Sequence, residues 1–285
     1  MSAKKKAIHD FCRMKREGEK ITFLTAYDYP TAQFAEAAGL DMLLVGDSLG
    51  MCVYGYPGTV PVVMDQCIRH AEAVRRGAPN TFVVGDMPFL SYQTSIEKAV
   101  ENAGRFLKEA GCDAIKLEGG VRVVPQIRAI VDAGILVMGH VGLTPQSSGQ
   151  LGGHKAQGRT LESARLVIED ALAVQNAGAH MILLEAIPPE VGAHIARTLT
   201  IPALSIGAGP DCDGQLLIVS DMIGQFQAFT PKFVKRYCNV AAIVTEAMRA
   251  YVADVRAKRF PAEEHGYPML PGELEKFQAA CKAKA

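Results

Sequence analysis

Short apolar runs and longer amphipathic stretches alternate along most of this chain. The runs at 21–26, 42–46, 82–85, 114–117, 136–139, 181–184, 203–206 and 216–219 have strand length, and most lead into Gly, Asp, Glu or His. Between them, apolar positions recur at helical spacing near 30–38, 65–77, 95–110, 121–133, 160–177 and 189–198, and a last helical stretch covers about 231–258. The run GQLLIV before residue 220 reads equally as the start of a helix. The phrases EAAGLDMLLVGD, KEAGCDAIKLEG and QNAGAHMILLEA repeat one grammar: helix, Ala-Gly stop, strand. The Gly serves as a left-handed helix terminator.

Strands that are apolar on both faces and alternate with helices imply buried parallel β/α units. Their repetition favours a closed (β/α)8 barrel over an open doubly wound sheet, and no G-x-G-x-x-G follows the first strand. The expected organisation is a basic helical extension over 1–20, the barrel over 21–260 and a tail over 261–285. Two connections, 48–64 and 142–159, are too long for tight βα turns. Both leave the C-terminal end of a strand, where long barrel loops carry function.

Composition narrows the classes. With 49% hydrophobic and 21% charged residues, the chain has enough apolar surface to fold. Thirty basic residues balance thirty acidic ones, which argues against a nucleic-acid binder. The local excess at Lys4, Lys5, Lys6, Arg13, Lys15, Arg16 and Lys20 is expected to be a solvated helix face. No apolar stretch reaches bilayer length, and no apolar region follows the N-terminal lysines as in a secretory signal. Seven cysteines without a C-x-x-C pair speak against a zinc ribbon or disulfide framework and for a reducing, cytoplasmic setting.

Ionisable residues stand where the apolar runs stop: Asp28, Asp47, Asp86, Glu118, His140 and Glu185. Each alone is compatible with a helix cap or loop charge. In a barrel, however, Asp47, Asp86 and Glu118 come from three adjacent strands. Two carboxylates about 4 Å apart repel by roughly 4 kcal/mol at an effective dielectric of 20, so the trio calls for a cation. All-oxygen donors suit Mg²⁺, whereas zinc wants more His or Cys. Lys116 lies two residues before Glu118, on the same strand face, and needs an anion there. His140 reads as a core histidine or a donor to a substrate oxygen. Glu185, among Leu183, Leu184, Ile187 and Pro188, is the candidate general base. Gly207-Ala208-Gly209 is an anion nest or a plain tight turn.

Together the motifs TAYD (25–28), VGDSLGM (45–51), RRGAPN (75–80), GDMPF (85–89), KLEGG (116–120), GHVGLTPQS (139–147), LLEAIP (183–188), IGAG (206–209), CDGQ (212–215) and PKFVKRY (231–237) resemble the ketopantoate hydroxymethyltransferase family. The resemblance runs from about residue 21 to the AEEH at 262–265. It implies a TIM barrel of the phosphoenolpyruvate/pyruvate superfamily. It further implies transfer of a one-carbon unit from 5,10-methylenetetrahydrofolate to 3-methyl-2-oxobutanoate, giving 2-dehydropantoate in pantothenate biosynthesis. By motif, Asp47, Asp86 and Glu118 match the Mg²⁺ positions. Ser48 and Lys116, with Asp47 and Asp86, match substrate contacts, and Glu185 matches the proton acceptor. The resemblance also implies a cytoplasmic homodecamer, a pentamer of dimers. Tyr56 and Ser220 stand where the family often has His, and His154 where it often has an aromatic residue. A Mg²⁺-dependent lyase or mutase of the same superfamily would share the strand-end carboxylates but usually carries a KKCGH-type loop, absent here. A metabolite-binding barrel without catalysis would not need all five of Asp47, Asp86, Lys116, Glu118 and Glu185.

Overall fold

The computed structural model describes residues 5–282. Eight parallel strands close into a barrel in sequence order, with the last paired to the first. They are β1 (Ile21–Thr25), β2 (Met42–Val45), β3 (Phe82–Asp86), β4 (Ala114–Glu118), β5 (Val137–Gly142), β6 (Met181–Glu185), β7 (Ala203–Ile206) and β8 (Gly214–Leu217). The helices are α1 (Ile8–Glu17), α2 (Tyr29–Ala37), α3 (Leu49–Cys52), α4 (Met64–Gly77), α5 (Ile96–Lys108), α6 (Val124–Asp132), α7 (Leu161–Asn176), α8 (Pro189–Thr198), α9 (Val219–Met222), α10 (Val240–Arg256) and α11 (Glu273–Lys282). The (β/α)8 expectation therefore holds, with one gap: no helix separates β7 from β8 among the described residues.

Several boundaries differ from the sequence reading. Asp86, Glu118 and Glu185 are the last residues of their strands rather than the first beyond them. His140 lies inside β5, two residues before its end. β8 begins at Gly214, two residues early, and Val219 already opens α9. The last long helix starts at Val240, not near 231, with an Asn239 side-chain cap on the Ala242 amide at 3.3 Å.

The chain forms two compact units, Met1–Cys238 and Asn239–Ala285. In the first, two apolar layers build the core. One lies between strands and outer helices, where Ile68, Ala71, Phe106 and Val174 are fully buried. The other fills the barrel interior with Phe23, Met42, Phe82, Val84, Met138 and Leu183. Helix α1 joins that interior through Phe11 and Met14, the Phe11 ring meeting Phe82 edge-on at 5.1 Å. Of its segment's basic residues, Lys5, Lys6, Lys15 and Lys20 are tied to the barrel rather than simply solvated, Arg13 pairs with Glu17 on α1 itself, and Lys4 lies outside the described residues. Lys15 bonds Asp213 at 2.6 Å and the Ala196 carbonyl at 2.7 Å, and Lys6 bonds Asp41 at 2.5 Å. The second unit holds α10 and α11, with the Phe260 ring edge-on to Tyr251 and His265.

Candidate active site

Alternation along the strands builds the site. Side chains two apart share a face, so the interior series Phe82, Val84, Asp86 ends in an acid. Likewise Ala114 leads to Lys116 and Glu118, Met138 to His140, and Met181 and Leu183 to Glu185. Apolar layers fill the lower barrel, and the polar layer forms the floor of a cavity of about 970 Å³ at the strands' C-terminal ends. Register then sets the neighbours. Asp86 pairs with Lys116 across β3–β4, and Glu118 with His140 across β4–β5.

The charges meet accordingly. Lys116 Nζ is 2.7 Å from Asp86 Oδ1, 3.6 Å from Glu118 Oε1 and 3.3 Å from His140 Nδ1. His140 Nε2 approaches Glu185 Oε2 to 3.2 Å, without the alignment of a hydrogen bond. All but Glu185 are nearly inaccessible; Glu185 keeps 14% of its side chain exposed, toward the cavity. Asp47 stands just past β2, and its backbone N–H donates to Asp86 Oδ2 at 3.0 Å.

Burial and crowding leave this layer short of positive charge. Burial, then repulsion from Asp86 and Glu118, pushes the Asp47 carboxyl well above its ordinary value. Burial also raises Asp86, although Lys116 opposes it. Glu118 goes the other way: Lys116, His140 and the Gln146 amide overcome its burial and hold it low. Burial would discharge Lys116, but Asp86, Glu118 and Asp47 more than offset it and keep the ammonium. Burial and Lys116 oppose a charge on His140, yet the Glu118 and Glu185 carboxylates beside its ring push its pKa up to about 9.

These residues fit a hard divalent ion. Asp86 Oδ1 is fully buried and lies 2.7 Å from Lys116 Nζ without an aligned hydrogen bond, while Oδ2 accepts from the Asp47 N–H, so the carboxylate stands beside Asp47. Among the described residues no three His, Cys, Asp or Glu side chains already converge on one ion position. Lys116 lies between Asp86 and Glu118, and both Glu118 oxygens have neighbours. Mg²⁺ needs no full protein cage; one or two carboxylates plus substrate and water oxygens suffice.

The loops add residues that sequence reasoning did not single out. Gln146, in a 3₁₀ turn after β5, donates from Nε2 to Asp47 Oδ2 (2.8 Å) and the Met87 carbonyl (2.9 Å). Its backbone N–H donates to Glu118 Oε2 at 3.0 Å, and its Oε1 accepts from the buried Tyr92 hydroxyl at 2.8 Å. One neutral residue thus ties two acids together, Asp47 by its side chain and Glu118 by its backbone, and only its place in GLTPQS marks it. Tyr27, fully buried by its neighbours, orients Ser48 through a 2.8 Å hydroxyl contact. Ala186, directly after Glu185, has φ +46, a strained value for a non-glycine residue. It is pinned by its N–H to the Ile206 carbonyl and by the Gln157 N–H to its own carbonyl.

Other expected positions fall outside this cluster. Asp28 is an exposed N-cap of α2, accepting from the Thr31 N–H at 2.7 Å. Gly207 and Gly209 form a tight turn on the cavity wall, where an added Cβ would strike Phe233 or Pro189. Tyr56 bonds Gln66, and Ser220 is buried on α9. His154 and Arg159 from the 142–159 loop border the same cavity, as do Met51 and Thr59 from the 48–64 loop. No described helix is long and apolar enough to cross a membrane.

Comparison with known proteins agrees with this architecture. Among solved structures, the phosphonopyruvate hydrolase complex with oxalate and Mg²⁺ superposes with a TM-score of 0.60 at 14% identity, covering 97% of this chain and 96% of that one. A 2,3-dimethylmalate lyase of the PEP mutase/isocitrate lyase superfamily gives 0.56 at 17% identity, covering 97% and 98%. At those identities the likeness establishes the barrel type alone. Sequence relatives are much nearer. The 3-methyl-2-oxobutanoate hydroxymethyltransferase of Alkaliphilus metalliredigens is 63% identical over 273 residues, 96% of each chain. That of Moorella thermoacetica is 54% identical over 254 residues, 89% of this chain and 94% of its own. The family model of ketopantoate hydroxymethyltransferase matches residues 5–263. On that match and those identities, the chain belongs to the ketopantoate hydroxymethyltransferase family.

Proposed function

We propose that this transferase moves a one-carbon unit from 5,10-methylenetetrahydrofolate to 3-methyl-2-oxobutanoate, producing 2-dehydropantoate and tetrahydrofolate in pantothenate biosynthesis. One observation carries the reading: Asp47, Asp86, Lys116, Glu118, His140 and Glu185 share the floor of one cavity. We place the protein in the cytoplasm and expect a homodecamer, in keeping with the family resemblance.

Asp47 and Asp86 would hold Mg²⁺, with Glu118 completing the acidic set; the ion would supply Lewis-acid stabilisation of charge on the keto oxygen. Lys116 and His140, both kept cationic by their acidic neighbours, set positive charge against the oxygens of the bound acid. Ser48, oriented by Tyr27, contacts the same acid. Glu185 removes the proton on C3. The electrons of that C–H bond become the C2=C3 bond of an enolate, with the charge on the C2 oxygen. C3 then bonds to the one-carbon unit, and both of that unit's bonds to folate nitrogen, at N5 and at N10, break. One water is consumed overall: its oxygen becomes the hydroxyl on the transferred carbon, and the proton from C3 and one from water end on the two folate nitrogens. The loops bearing Met51 and Thr59, and His154 and Arg159, wall the cavity in which this occurs.

The test is product formation. Protein with both substrates and Mg²⁺ is expected to form 2-dehydropantoate, detected by mass spectrometry, and EDTA to abolish it. Folded protein that forms none with Mg²⁺, Mn²⁺ or Co²⁺ would refute the assignment.

A further inference from the structure

The floor of the cavity is accounted for by the keto acid, but its wall holds an acid without a task. Asp221 lies on α9, directly after β8, with 6% of its surface exposed and its side chain lining the cavity. Asp47, Asp86 and Glu118 each have a cationic or amide neighbour. The Asp221 carboxylate has no hydrogen-bond or ion-pair partner among the described residues, whose bonds to Asp221 involve its backbone alone. Arg236, the cation that feels its charge, donates instead to Thr230 Oγ1 and the Phe226 carbonyl. The unpaired carboxylate oxygens are open to the cavity, where a ligand's donors can take the place of water.

Its surroundings define that ligand. Phe226, Phe229 and Phe233 line the same cavity, Phe226 standing edge-on to Phe229 at 5.4 Å. Phe229 is half exposed, as a face awaiting a planar partner would be. Cys52, which closes the short helix beginning just after Ser48, lines the same cavity. On this side of the wall the Asp221 carboxylate is set among aromatic rings, while Lys232, His154 and Arg159 also line the cavity. The keto acid itself is anionic, offers no N–H, and would be repelled there. The pterin of the folate co-substrate presents two parallel donors, N3–H and the 2-amino group, on a flat ring. That edge matches both oxygens of one carboxylate, a bidentate charge-assisted pair.

We propose that Asp221 anchors the pterin of the folate co-substrate through its N3–H and 2-amino edge, with Phe226, Phe229 and Phe233 bordering the ring. This rests on the transfer reaction proposed above.

A chemical double-mutant cycle tests it. Wild type, Asp221→Asn and Asp221→Ala, each checked for native circular dichroism, are titrated calorimetrically with tetrahydrofolate and its 2-desamino analogue. Removing the amino group is expected to weaken binding to wild type by about 10-fold or more and to Asp221→Ala by under about twofold. In turnover, the KM for 5,10-methylenetetrahydrofolate rises about 10- to 100-fold in Asp221→Ala, while that for 3-methyl-2-oxobutanoate stays within about twofold. An equal cost of the amino group in wild type and variant overturns the assignment, as does a rise in the keto-acid KM instead. Wild type that makes no 2-dehydropantoate overturns the reaction and the pterin site together. Wild-type turnover with an unmoved folate KM in Asp221→Ala overturns the pterin site alone.

Discussion

Lys116 Nζ stands 2.7 Å from Asp86 Oδ1, and the two residues are register partners on adjacent strands. With the charged His140, that ammonium thereby serves a layer with three buried carboxylates. Replacing Lys116 with Met leaves Asp86 without its cationic partner. Lys116→Met is expected to lose about 3–5 kcal/mol of stability in EDTA, read by urea denaturation. Mg²⁺ is expected to return part of that loss, and activity is expected to fall by at least about 100-fold. Unchanged stability in EDTA would contradict this role.

Gln146 holds Asp47 and Glu118 from one turn of chain. Gln146→Leu keeps the volume but removes the donor to Asp47 and the acceptor for Tyr92. Mg²⁺ binding is expected to weaken by about 10-fold, as outer partners of metal-binding carboxylates typically contribute. Calorimetry with Mg²⁺ alone measures this without turnover. An unaltered affinity would show that the amide does not orient the acid.

Asp41 tests the base of the barrel. Burial alone would raise its carboxyl, but Lys6 and the Thr22 N–H and hydroxyl override that and lower it. A lowered folded-state value stabilises fully above the ordinary 3.8 and is lost as pH falls through the folded value. Asp41→Asn is thus expected to cost about 1–3 kcal/mol at neutral pH. The gap to wild type is expected to close on acidification. Denaturation at stepped pH reads the difference, and a gap independent of pH would contradict the linkage.

Much of the site was legible because strand side chains alternate. Asp86, Lys116, Glu118 and Glu185 each end or nearly end an apolar run, so position along the strand revealed their depth in the barrel. His140 was misjudged by two residues because Val141 and Gly142 continue β5 with a weak apolar signal. Contacts set by folding rather than pattern stayed hidden. Gln146 meets Asp47 across 99 residues, and no local periodicity marks a neutral amide for that task. Asp221 interrupts an apolar run beside the ambiguous GQLLIV segment, where helix and strand patterns overlap. The late start of α10 follows the Pro-containing stretch 231–239, whose apolar spacing imitates a helix that does not form.

Glu185 is the least buried member of the layer and faces the cavity, where the C3 proton is to be taken. The most direct measurement is exchange of that proton with D₂O by NMR, in 3-methyl-2-oxobutanoate with Mg²⁺ and no folate. Wild type is expected to exchange it. Glu185→Gln is expected to lose at least about 100-fold in rate while still binding the acid. Exchange at the wild-type rate in the variant would contradict the assignment of Glu185 as the base.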